Sequence, residues 1–343
     1  MMFQNPANWT IAGGLVLGAI FGLIVWQQRM CLVAAVGNVT LVRDYRYALA
    51  FAFAIFVAIT GTQLLELLHI VDISKASYRG ARFDWIGLIA GGLIFGFGAA
   101  FAGGDAARIV VAAGQGSRSG WVAVFFFMVF AVITQLGVIA TPREWSLTHN
   151  SITLSGGDAG IAAILSLPKW LVLVVVDLVL LGFIASKWKK HGDLKLLIGG
   201  AILGLTVVGA WYTTGVLAYD DFNPQPASAI TVSGPMWKLG SVLITRNNQP
   251  LDLQICFVLG LLGASFIASV LTRRLQFTPI RGSAGLVALG GALMGIGGTV
   301  AYGCNIGQGF SGMSTLSLGS VLAVISMVVG IHFGTRWLEK YRS

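Results

Sequence analysis

The sequence predicts an all-α polytopic membrane protein: about nine transmembrane helices plus short re-entrant helices, in two inverted-topology halves. Three observations predict it. The composition is apolar and poor in charge, long apolar runs recur along the chain, and a Gly-Gly motif repeats inside four of them with a polar break behind each.

Of 343 residues, 56% are hydrophobic and only 10% charged, with a mean hydropathy of +0.83. Soluble domains carry roughly a quarter charged residues. A run of about 20 apolar residues at 1.5 Å rise each crosses the hydrocarbon layer. Nine runs qualify, near 9–26, 46–68, 86–103, 119–140, 169–186, 196–216, 253–272, 284–302 and 316–337. The first run, Ile11 to Trp26, has no positive region before it and ends in QQRMC instead of a small-residue cleavage site. A retained span is expected there, not a signal peptide.

The net charge of +9 is read as loop lysines and arginines that set orientation, and no nucleic-acid partner is expected. Assigning the loops alternately to two faces puts most of the 22 Lys and Arg on one of them, much of it in SKWKKHGDLK after the fifth span. The positive-inside rule makes that face cytoplasmic, with the N-terminus outside and the C-terminus inside. The three cysteines and four histidines show no CxxC, Cys/His or HExxH spacing, so neither a disulfide framework nor a metal site is expected. No cofactor is expected either.

GGLVLG (13–18), GGLIFG (91–96), GGAILG (199–204) and GGALMG (290–295) share one pattern. Small residues four apart let helix backbones approach closely, which explains each motif alone but not four copies at matching places. The second and fourth units align without a gap at an offset of 199, and Asp105 then falls on Cys304. Four two-span units and one lone span make nine. Each half has an even number of spans, so the lone fifth span inverts the second half, a common transporter plan. The expected division is residues 1–150 for the first half, 151–190 for a linking segment with the fifth span, and 191–343 for the second half.

Behind each glycine-rich helix lies a polar, glycine-containing segment too short to span: about 29–43, 104–117, 219–243 and 303–315. Non-helical backbone at membrane depth is tolerated only where protein or a water-filled path surrounds it. These segments are therefore expected to line a central path. In 303–315, Cys304, Asn305, Gln308 and Ser311 supply polar side chains, and a short helix starting near Asn305 would aim free N–H groups at an anion. Cys304 and Cys31 sit at the break of their units and are expected in the path. Cys256, mid-helix in DLQICFVLG, reads as a small buried hydrophobe.

Asp105 stands in GDAARIV, with Arg108 three residues on and on the same helix face. An ionisable residue near membrane depth is a functional candidate. Two readings stand: a structural Asp105–Arg108 pair at the pore edge, or a protonated or gated carboxyl that takes part in transport. In the third unit Asp220 and Asp221 are expected in an outer loop. GQGFSG (307–312) fits a dinucleotide fingerprint by letters alone, without the strand that fingerprint requires. GFSG (309–312) resembles the serine motif of rhomboid proteases. The downstream His332, 21 residues on, would lie about 30 Å away along a helix, out of reach of Ser311.

The glycine-rich helices with AFAGGDAAR (100–108) and AYGCNIGQGFSGMSTLSLGS (301–320) resemble the signature of the YeeE/YedE family, known for bacterial uptake of thiosulfate and related sulfur compounds. The resemblance covers nearly the whole chain and departs at Asp105, where the family usually has Cys. It implies an inner-membrane permease, not an enzyme, that moves a small sulfur-containing anion inward along a thiol-lined path. By that carry-over Cys304 and Cys31 are relay positions and Asp105 stands at the third. The expected pathway residues are Cys31, Gly104, Asp105, Arg108, Gly303, Cys304, Asn305, Gln308 and Ser311. The partners implied are the anion, the lipid bilayer and a cytoplasmic sulfur-carrier or sulfur-processing protein. Two rivals remain from other classes. One is a membrane sensor or accessory protein with little flux, which would call for an output domain or long cytoplasmic tail. The other is an intramembrane serine hydrolase at Ser311.

Overall fold

A computed structural model describes residues 6–154, 157–220, 223–245, 250–280 and 283–342. The fold is helical, as expected. In chain order the helices are α1 (Pro6–Gln28), α2 (Leu32–Val42), α3 (Arg46–Leu67), α4 (Trp85–Ala102), α5 (Ala106–Gly114), α6 (Arg118–Leu136), α7 (Ala140–Asn150), α8 (Ile161–Ile164), α9 (Lys169–His191), α10 (Leu194–Tyr212), α11 (Ser233–Thr245), α12 (Leu253–Leu271), α13 (Ala284–Val300) and α14 (Leu318–Arg342). Two residues each of β1 (Arg82–Phe83) and β2 (Ile152–Thr153) pair antiparallel between the loops that follow α3 and α7.

Eight helices among the described residues are long and apolar enough to cross a membrane; α13, apolar and 17 residues long, is the shorter ninth. Each expected span coincides with one of these nine helices. Large apolar side chains such as Val16, Leu178, Phe266 and Phe333 face outward, where a lipid environment would cover them. The peripheral α9 packs mainly on α3. The fourth span ends at Leu136, four residues before the expected limit, and the polar helix α7 that follows it was not expected.

The long helices pair in a regular way: α1 with α12, α3 with α10, α4 with α14, α6 with α13, and at the centre α4 with α13 and α1 with α10. Exchanging α1, α3, α4 and α6 for α10, α12, α13 and α14 maps this set of pairs onto itself. The direction of each pair is readable from glycine contacts. Gly14 lies against Leu253 and Gly22 against Leu261, so α1 and α12 run parallel. Gly91 lies against Gly297 and Gly98 against Gly290, so α4 and α13 run antiparallel.

These glycines are required by the closeness of the backbones. A Cβ on Gly18 would stand 2.1 Å from the Phe257 carbonyl oxygen, and one on Gly96 2.1 Å from that of Met327. Gly204 and Gly295, from the other two motifs, meet the Ala54 and Phe127 carbonyls in the same manner. The Gly-Gly repeat is therefore the mark of four backbone-to-backbone seams.

The short pieces fill the interior. α2 packs on α3 and α14, and α11 on α12 and α6. α5 packs on α6, α12 and α1, while a six-residue π-helical turn at Gly307–Gly312 packs on α14, α3 and α10. Phe310 in that turn stacks on Phe51 (5.5 Å between ring centroids) and meets Phe21 edge-on.

Candidate functional site: a closed waist between two cavities

Two cavities enter the molecule. One, of about 640 Å³, is lined by Tyr78, Arg82, Asp84, Arg143, Thr231, Thr299, Tyr302 and Gln308. The other, of about 590 Å³, is lined by Arg29, Arg108, Gln115, Ser117, Arg274, Gln276 and Thr278. They lie at opposite ends of the same helices. The first touches Leu88 near the start of α4 and Thr299 near the end of α13. The second touches Ala102 at the end of α4 and Val287 near the start of α13. Eighteen residues of α4 separate those ends by about 27 Å.

Between the residues that line the two cavities lies a buried waist, and the thiols are there. Cys31, Asp105, Cys304 and Asn305 are all buried, at 4%, 2%, 0% and 2% exposure, and none of them lines either cavity. Each thiol has one polar partner. The Asp105 backbone N–H donates to Cys31 Sγ at 3.3 Å. Cys304 Sγ lies 3.9 Å from Thr231 Oγ1. Asp105 and Cys304 are the residues matched at the offset of 199, and Cys31 and Thr231 stand just before α2 and α11. Each pair thus joins a residue behind one helix to a residue behind another, by the same pattern.

The Asp105 carboxylate is the best-connected group of the waist. Its Oδ2 accepts from the Leu32 N–H at 2.6 Å and from Asn305 Nδ2 at 3.1 Å. Its Oδ1 accepts from the Arg108 N–H at 2.9 Å. Asp105 is thus the N-cap of α5 and also holds the first N–H of α2. The expected structural pair with Arg108 therefore needs correction: the contact runs through the Arg108 backbone. The guanidinium lines the second cavity, where its Nη1 is buried without a hydrogen-bond partner.

The remaining expected residues fall as follows. Gly104 and Gly303 make room for neighbouring side chains, since a Cβ there would come within 2.8 Å of Arg108 Cγ and 3.0 Å of Gln308 Cγ respectively. Gln308 lines the first cavity, donating to the Ala301 carbonyl and accepting from Ser320 Oγ, each at 2.7 Å. Ser311 Oγ donates to the Ile230 carbonyl at 2.6 Å and lines neither cavity. His332 Nδ1 bonds Thr40 Oγ1 at 3.0 Å, so its ring nitrogen is engaged on α2 and not at Ser311. Much of the polarity of 303–315 thus satisfies broken backbone. The expected helix from Asn305 is instead the π turn, with Asn305 outside it and bonded to Asp105. Asp220 lies beyond α10 in the segment before α11, and Asp221 lies outside the described residues, as does Arg281.

Thr231 and Tyr78 were not foreseen. Thr231 belongs to an unpatterned stretch before α11, and no thiol marks its unit. Tyr78 sits in the loop after α3, and its hydroxyl approaches Gly307. Ser317 Oγ donates to the Tyr78 carbonyl at 2.7 Å. Beside it, Arg79 is buried in an ion network: Nη1 to Glu66 at 2.8 Å, Nε to Asp158 at 2.9 Å, with Lys169 reaching Glu66 at 2.5 Å. Burial is the largest single influence on Asp158 and disfavours its charged form, but the Arg79 hydrogen bonds, the Gly160 N–H and the Arg79 and Lys169 charges together outweigh it and hold the carboxyl below its ordinary range.

The chain is similar to known proteins over nearly its whole length. The chain is 26% identical to "Thiosulfate transporter TsuA" of Escherichia coli (strain K12), over 97% of this chain and 95% of that protein. It is 28% identical to "Thiosulfate transporter TsuA" of Spirochaeta thermophila, over 94% of this chain and 96% of that one. The profile of a family described as sulphur transport matches residues 27–333. With glycine seams, a buried thiol waist and a family match across most of its length, this multi-pass membrane chain belongs to the sulphur transport family.

Proposed function

We propose that the chain is a permease that passes thiosulfate, or a closely related sulfur oxyanion, into the cytoplasm of a bacterial cell across its inner membrane. The observation that carries this reading is the placement of two buried thiols, Cys304 and Cys31, in the buried waist between two cavities at opposite ends of α4 and α13. The names of the two relatives supply the substrate.

The mechanism follows from the order of groups. Arg82 and Arg143 at the first cavity attract an anion. Cys304, held against Thr231, meets it next, then Cys31 beside Asp105, then Arg108 at the second cavity. A thiol is a weak donor, so it binds a soft sulfur anion loosely enough to release it, as conduction through successive sites requires. The two helix sets serve as inverted halves, with divisions near 150 and 190, and the first cavity opens outside. The C-terminus of α14 is then cytoplasmic. A cytoplasmic sulfur-carrier or sulfur-processing protein belongs to the same reading as consumer of the cargo.

The test is uptake of labelled thiosulfate by cells that lack their own importers. Cells carrying the chain should accumulate label, and Cys304→Ala should remove most of it. Accumulation no greater than in empty-vector cells, with the protein present in the membrane, would reject the permease reading and favour binding without flux.

A further inference from the structure

The waist holds an anion site that is already filled. N-termini of two separate helices, α2 (11 residues) and α5 (9 residues), each aim one backbone N–H at the same carboxyl group, Leu32 at Oδ2 and Arg108 at Oδ1, and the Asn305 amide reaches Oδ2 from the other helix set. Three N–H donors converging at 2.6–3.1 Å form the kind of hole that holds a small oxyanion. The group inside is the chain's own Asp105 carboxylate. Where the repeat pattern expects a thiol, this carboxyl occupies the place an anion between the cavities would take.

Two buried orphans adjoin it. Arg108 Nη1 has no hydrogen-bond partner, though Arg108 is three residues from Asp105 on one helix face. Asn305 is 98% buried; its Oδ1 has no partner, and among the described residues Asp105 is what its side chain holds. A buried unpaired guanidinium nitrogen is costly unless another arrangement of the molecule satisfies it. The one carboxylate within reach along α5 is that of Asp105.

Resting on the permease reading, we propose that Asp105 is a tethered stand-in for the transported anion. Its carboxylate fills the hole made by Leu32, Arg108 and Asn305 while the waist is closed. It leaves for the Arg108 guanidinium when an anion takes its place. Departure also frees Asn305, so exchange at one carboxylate breaks one buried polar contact between the two helix sets, while others such as Thr40–His332 stay. Asp105 thereby sets both the affinity of the waist and its gating. The substrate class it selects is a small oxyanion able to outcompete a carboxylate for backbone N–H groups.

The experiment uses the purified full chain in proteoliposomes and in detergent, with labelled thiosulfate. Asp105→Asn and Asp105→Ser both retain a good N-cap, so loss of capping is not the cause of any shared effect. Both should lower the half-saturating thiosulfate concentration on the order of tenfold, the scale of removing a like charge from a desolvated site. Both should bring thiosulfate-induced thermal stabilisation to correspondingly lower concentrations. Arg108→Gln should depress the maximal rate, since the displaced carboxylate loses its partner. Adding Asp105→Asn to Arg108→Gln should restore that rate. Wild-type flux with unchanged half-saturation in both Asp105 variants would overturn the stand-in and leave the permease intact. A double variant as slow as Arg108→Gln alone would overturn the exchange onto Arg108. Neither flux nor stabilisation by thiosulfate in any of the proteins would overturn the permease reading and this proposal together.

Discussion

At the scale of single residues, the three cysteines separate cleanly by their surroundings. Cys256 lies against the Gly14 seam between α1 and α12, among apolar atoms. Cys304 and Cys31 each face a polar partner in the waist. Cys304→Ala should therefore reduce thiosulfate uptake by about tenfold, the loss of one net hydrogen bond of roughly 1.4 kcal/mol. Cys256→Ala should leave uptake within about twofold, since it removes only one buried sulfur from a packed seam. Parallel uptake and membrane-expression assays of the two variants check both. The thiols were legible because each stands at a break in a repeated pattern. The role of Asp105 was not, because the helix it shares with its own α5 is α2, 73 positions earlier in the chain. Its neighbour Arg108 misled for a related reason: spacing alone reports which side chains could meet, whereas here the backbone N–H was the closer donor. Thr231 lies in the 219–243 segment expected to line the path, but no repeat letter singled it out within that segment.

At the scale of elements, the Gly-Gly motifs decide how the helices join. Gly18→Ala or Gly96→Ala places a methyl 2.1 Å from a carbonyl oxygen, and a backbone oxygen cannot step aside as a side chain can. Each should destabilise by about 1–3 kcal/mol, as overpacking does, and lower the melting temperature in detergent. Gly263→Ala on α12, where a Cβ meets nothing within 4 Å, is the matched control and should melt like wild type. The spans themselves were readable because hydropathy over twenty residues averages out local detail. The short elements were less so: the N-cap of α5 is local, Asp105 to Arg108, but the π turn at Gly307–Gly312 and the hold on the first N–H of α2 depend on partners brought from elsewhere in the chain, which no window contains.

At the scale of the whole molecule, the loops over the first cavity are bound by charge. Arg79 ties the loop after α3 to Glu66 and to Asp158, and Lys169 closes the network from α9. Arg79→Gln leaves Glu66, 8% exposed, with Lys169 alone, and should cost on the order of 3–5 kcal/mol, read as a lower melting temperature. The Asp158 carboxyl is held below its ordinary value of 3.8. Its contribution is therefore complete above that pH and fades as pH falls through the lower folded value, so wild type should lose stability in acid there and Arg79→Gln should lose less. Orientation is checked with an impermeant thiol reagent in a Cys256→Ala background. Arg82→Cys should label from outside the cell and Gln276→Cys only after the inner face is exposed; the reverse would turn the molecule over.

The seams have a mechanical consequence. Where a carbonyl occupies the place of a methyl, the long helices have little slack in which to slide, so a rocking of one helix set against the other would first have to open these seams. Motion is left to the small pieces at its centre while the outer wall stands still. Throughput should then be nearly indifferent to the thickness of the surrounding bilayer, and a covalent staple joining α1 to α12 should not arrest it.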